Sequence, residues 1–169
     1  MLKKLCFLSV LCFAALAAAS HILAIGSHGR GTATTQDGRN GSFHFSVVKR
    51  TSQGHHPAFE GSLRLEQHHS KHGPWVLVQM GRPTVVNGVE GGVCEFSGPG
   101  SLTRLVEGHQ QTVHGTVSAN VVDRRNPHHT PHNPPDLIRV RFVDKHNQTF
   151  MFDGTVHSGD LVVFSRQEH

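Results

Sequence analysis

The stretch QTVHGTVSANVVD, residues 111–123, decides the fold. Val113, Val117, Ala119 and Val121 fall on one parity, and His114, Thr116, Ser118 and Asn120 on the other. An apolar–polar repeat of two residues puts every second side chain on the same face of an extended chain. That is the signature of a half-buried β-strand. Valine at the inward positions strengthens the reading, because a branched Cβ packs well on a pleated surface.

Working outward, the same period recurs along the chain. Residues 136–144 place Ile138, Val140 and Phe142 opposite Arg139 and Arg141. Residues 41–50 set Phe43, Phe45 and Val47 against Ser42, His44 and Ser46. Residues 59–68 repeat it with Phe59, Leu63 and Leu65 against Glu60, Arg64 and Glu66. Shorter strands are expected at 75–80, at 84–86 before a turn at Asn87-Gly88, and at 93–97 before a break at Gly98-Pro99-Gly100. Two closing strands, 148–156 and 160–165, are expected to meet at a turn over His157-Ser158-Gly159. No window after the first 19 residues shows apolar spacing of three and four behind a cap. The prediction is a single all-β domain, an antiparallel sandwich or barrel of about eight strands.

The amino terminus reads as an export signal. Lys3 and Lys4 precede an apolar run from Leu5 to Leu16, and Ala17, Ala18 and Ala19 supply the small side chains a signal peptidase accepts. The run falls short of the ~20 residues a membrane helix needs, which favours a cleaved signal over an anchor. The expected organisation is a signal peptide over 1–19 with the cut after Ala19, a flexible leader over 20–40 ending at an Asn40-Gly41 turn, and a β-domain over 41–169. The expected location is secreted or periplasmic, with no later membrane span.

Cys6 and Cys12 leave with the signal, so Cys94 remains alone and is expected to be a small buried apolar residue. Without Lys3 and Lys4 the chain holds 14 basic and 12 acidic residues, a net charge of +2. Scattered charge of that size does not point to nucleic acid. Histidine is the unusual component, with 16 in the chain, the first being His21. Below about pH 6 exposed imidazoles gain protons, so surface charge is strongly pH-dependent.

Two loops concentrate these imidazoles in a His-His-x-x-His pattern. One carries His68, His69 and His72, and the other, rich in proline, carries His128, His129 and His132. Imidazole suits zinc, copper and nickel, so these six are the candidate metal ligands, and a divalent transition metal is the candidate cofactor. His55-His56 adds a third pair. The competing reading is a set of solvated loop histidines. Asp136, Asp144, Asp153 and Asp160 sit at strand ends, where turn formation is the expected role. Arg139 and Arg141 are expected on a solvated face beside acidic partners. No Gly-x-Ser-x-Gly elbow, His-Glu-x-x-His motif or cysteine pair occurs, and no catalytic or cofactor-binding residue is assigned.

Residues 41–47 (GSFHFSV), 59–65 (FEGSLRL), 94–100 (CEFSGPG) and above all 136–144 (DLIRVRFVD), followed by Phe152-Asp153-Gly154, together resemble the post-COAP domain family of exported bacterial proteins. The likeness spans about residues 38–164. It implies an all-β exported module, often appended to larger extracellular proteins, and carries no catalytic residues across. Phe152-Asp153-Gly154 and the histidine-laden loops depart from the family pattern. The function expected from these readings is a non-catalytic interaction or structural module of the envelope or extracellular space, with an envelope or extracellular protein or ligand as partner. The alternative is a protein that binds or buffers a transition metal.

Overall fold

The computed structural model describes residues 22–89, 91–124 and 134–168. Among the described residues nine strands run in chain order: β1 (Ile22–Thr35), β2 (Asn40–Ser52), β3 (Ala58–Gln67), β4 (Val76–Met80), β5 (Val85–Val89), β6 (Val93–Val106), β7 (His109–Val122), β8 (Leu137–Asp144) and β9 (Thr149–Glu168). All pair antiparallel in one sheet of order β4-β3-β2-β1-β9-β8-β7-β6-β5. A further ladder between β4 and β6, from Val76↔Arg104 to Met80↔Gly100, closes the sheet on itself. The result is an eight-stranded up-and-down barrel with β5 as an extra strand. The sandwich alternative is thereby set aside, since a closed ladder has no sheet edge to stack on a second sheet.

Alternation places the core as the sequence predicts. Phe43, Phe45, Val47, Leu63, Leu65, Val78, Val117, Val121, Ile138, Val140 and Phe142 are all buried inside. An eight-stranded barrel is just wide enough for side chains to fill it. Phe45, Phe96 and Phe152 are the largest of the fully buried side chains, with the Phe45 and Phe96 ring centroids 5.5 Å apart. Burying each ring stabilises the fold by roughly 1.5–3 kcal/mol. Cys94 is fully buried among them, and burial, then the neighbouring Glu95, push its thiol up to about 12.

Four local expectations are corrected. Residues 22–35 of the expected leader form β1, held between β2 and β9 over its whole length, from Ile22↔Ser52 and Ile22↔Glu168. Its inward residues are small because neighbouring strands crowd it: a Cβ at Gly31 would lie 2.0 Å from the Ser158 carbonyl oxygen. The β1–β2 turn accordingly sits at 36–39, with Gly38 at φ +83°, and Asn40-Gly41 begins β2. Asn87-Gly88 lies within β5 rather than in a turn, and Gly91 and Gly92 take the positive φ instead. Gly98-Pro99-Gly100 does not break β6. There β6 changes partner, pairing β5 over 93–97 and β4 over 100–104. Pro99, with no N–H to donate, sits where neither ladder pairs it on that side. Finally, the expected closing hairpin is one strand of 20 residues with a β-bulge: Thr32 pairs Ser158 and Ala33 pairs Val156, leaving His157 unpaired with β1.

The two barrel ends differ. At one end β5 pairs with β6 and comes against β1, on the opposite side of the barrel, burying Val86. The other end, ringed by the β1–β2, β3–β4, β6–β7 and β8–β9 connections, is open.

Candidate functional site at the barrel mouth

Toward the open end, the inward phase of several strands turns from apolar to polar. On β3 the series Leu63, Leu65 ends in Gln67, on β6 Leu102 is followed by Arg104, and on β8 Phe142 is followed by Asp144. The ladders align part of this rim, with Gln67 opposite Val76, Val76 opposite Arg104 and Arg104 opposite Gln111. Together they surround a cavity of about 260 Å³. Its apolar lining comes from Pro74, Val76, Leu102, Val113, Phe142 and Phe150, and its polar lining from Arg39, Gln67, His72, Arg104, Asp144, Gln148 and Thr149.

One wall is built around Arg39. Its Nε donates to Asp37 at 2.9 Å, while its Nη1 donates to the Gln67 side-chain carbonyl at 3.2 Å and to the Met151 backbone carbonyl at 3.1 Å. Gln67 is almost fully buried and passes the network on, its amide donating to the Pro74 carbonyl at 2.7 Å. The buried amide is thus satisfied at both ends. Asp37 also accepts from Thr35. The Arg39 guanidinium first, and the Thr35 hydroxyl second, hold the Asp37 carboxyl down at about 2. The β3–β4 loop folds over this wall: a Cβ on Gly38 would lie 3.2 Å from the His72 ring.

The facing wall is the β8–β9 turn. Asp144 Oδ1 accepts from the backbone N–H of His146 and of Gln148, both at 2.8 Å. Asn147, at φ +63°, closes that turn. Asp144 therefore has the turn-forming role expected of it. Arg104 is different from Arg39: among the described residues no ion pair includes it, as none includes Arg30, Arg82 or Arg141, and of these four only Arg104 lines this cavity.

The other sequence candidates fall elsewhere. His68, His69 and His72 lie exposed on the β3–β4 loop; His68 Nε2 is 3.2 Å from Ser42 Oγ, and only His72 lines the cavity. His55 and His56 are at the opposite end of β3. His128, His129 and His132 lie outside the described residues, as does the expected signal over 1–19. Among the described residues no group of three or more His, Cys, Asp or Glu side chains is placed to hold a metal ion. Arg139 pairs with Asp153 across the β8–β9 ladder on the outer face, and Asp136 accepts from the Arg124 N–H at 3.0 Å where β7 and β8 approach. Sequence reasoning missed Arg39, Gln67 and Arg104. For Gln67 and Arg104 the signal was present as a polar side chain in the inward phase at a strand end.

No family model, no curated protein and no solved structure matches the chain.

Proposed function

We propose that this chain is an exported, non-catalytic binding module, and that its open mouth receives a small ligand. The observation that carries the reading is the asymmetry of the barrel. Side chains fill the middle and β5 lies across one end, whereas the other opens into a cavity with an apolar floor and a polar rim. Concave apolar sites with a few convergent polar groups are where proteins take small molecules, and a barrel mouth is a common place for one. At about 260 Å³ the cavity is just below the ~300–1,000 Å³ range of such sites, so the ligand is small. Export is supported by the Lys3–Ala19 segment, and the likeness to post-COAP domains agrees with a module that works outside the cytosol.

Titration of the full chain with an environment-sensitive naphthalene dye tests the mouth. One saturable site per chain is expected, and Val113→Trp, which puts a bulky ring into the cavity, is expected to abolish it. Non-saturating binding, or binding indifferent to that substitution, would overturn the reading. Amino-terminal sequencing of the product recovered outside expressing cells tests export, with Ser20 expected as the first residue.

A further inference from the structure

The geometry points to a ligand of one chemical class: a small amphipathic monocarboxylate, its tail on the apolar floor and its carboxylate on Arg104. This rests on the reading of the mouth as the binding site and adds what the site selects. The floor of Val76, Leu102, Val113, Phe142 and Phe150 offers an alkyl chain nothing but apolar contact. Burying such a chain contributes about 0.8 kcal/mol per methylene. The rim then decides the head group. Arg39 is committed, its Nε to Asp37 and its Nη1 to Gln67 and Met151. Asp144 is the acid facing the cavity, and its Oδ1 is held by two backbone N–H groups of its own turn. Arg104 keeps its charge without an acidic partner among the described residues, in line with the floor on the inward phase of β6. A guanidinium presents parallel donors that match a carboxylate in a bidentate pair, which an alcohol cannot reproduce.

Calorimetric titration of the full chain with octanoate and with 1-octanol reads both parts. Octanoate is expected to bind one per chain at least tenfold more tightly than octanol. Arg104→Gln is expected to remove that difference, weakening octanoate about tenfold and leaving octanol unchanged. Arg104 is exposed, so the substitution leaves the core intact, and the comparison of the two ligands on the unchanged protein needs no variant. Equal binding of octanoate and octanol would overturn the selection of an acid while leaving the mouth as a site. Binding of neither, together with no dye binding, would remove the site itself.

Discussion

Arg39 shows how much a single side chain can organise. It joins the β1–β2 turn, β3 and β9 through Asp37, Gln67 and the Met151 carbonyl. Only the Asp37 contact is local, two positions away; Gln67 and Met151 are 28 and 112 positions away, so the network as a whole is not visible in the local sequence. The pH consequence follows from Asp37, whose carboxyl sits at about 2 in the folded chain, against about 3.9 when unfolded. A depressed folded value stabilises above the unfolded one, so this contribution is complete above about pH 4 and is lost as pH falls toward 2. Asp37 is exposed, so the change in global stability is small and the carboxyl itself is the better reporter. In a carboxyl-detected NMR titration, Arg39→Met is expected to move the Asp37 midpoint up toward the ordinary carboxylate range. An unchanged midpoint would show that Arg39 does not set it. Asp144 and Gln67 teach the complementary lesson. Their inward phase could be read from the alternation, but their partners could not.

At the scale of elements, strands with large inward side chains were legible, and β2, β3, β7 and β8 lie within a residue or two of where the alternation puts them. β1 was not. Its inward positions, opposite Val47, Phe45, Phe43 and Gly41 of β2, are Ser27, Gly29, Gly31 and Ala33, which carry too little apolar surface to show a period. They are small because β2 and β9 press on them from both sides, a fact of packing rather than of local preference. β9 was misread for a related reason. His157-Ser158-Gly159 has turn composition, yet the residues form a bulge that keeps one long strand in register with β1. Gly159 sits at φ +98°, and a Cβ there would lie 2.0 Å from the Arg30 carbonyl oxygen. Gly159→Ala is therefore expected to destabilise the fold by about 2 kcal/mol or more in urea denaturation. A loss under ~0.5 kcal/mol would mean that the bulge tolerates a side chain.

At the scale of the molecule, closure is the event that matters. Two long-range ladders make it: β4 with β6, and β1 with β9, whose outermost pair joins Ile22 to Glu168. Contacts between residues so far apart are entropically costly to bring together, so folding in the range of milliseconds to seconds is expected. Ending the chain at Asp160 removes Leu161, which is fully buried, and leaves the 22–29 half of β1 without its β9 partner. Such a truncation is expected to lose the cooperative thermal transition seen by near-ultraviolet circular dichroism. A retained sharp transition would show that the barrel closes without that ladder.

The order of side chains along the chain determined, by itself, that the protein is all-β and which parity of each clear strand faces inward. Pleating is a local property, so a repeat of two residues suffices to announce it. Which strands pair, that the sheet closes as a barrel, and that Gln67, Arg104 and Asp144 meet around one opening were decided only by the tertiary structure. Ladder partners are chosen by non-local packing, and no repeat within a strand records the identity of its neighbour.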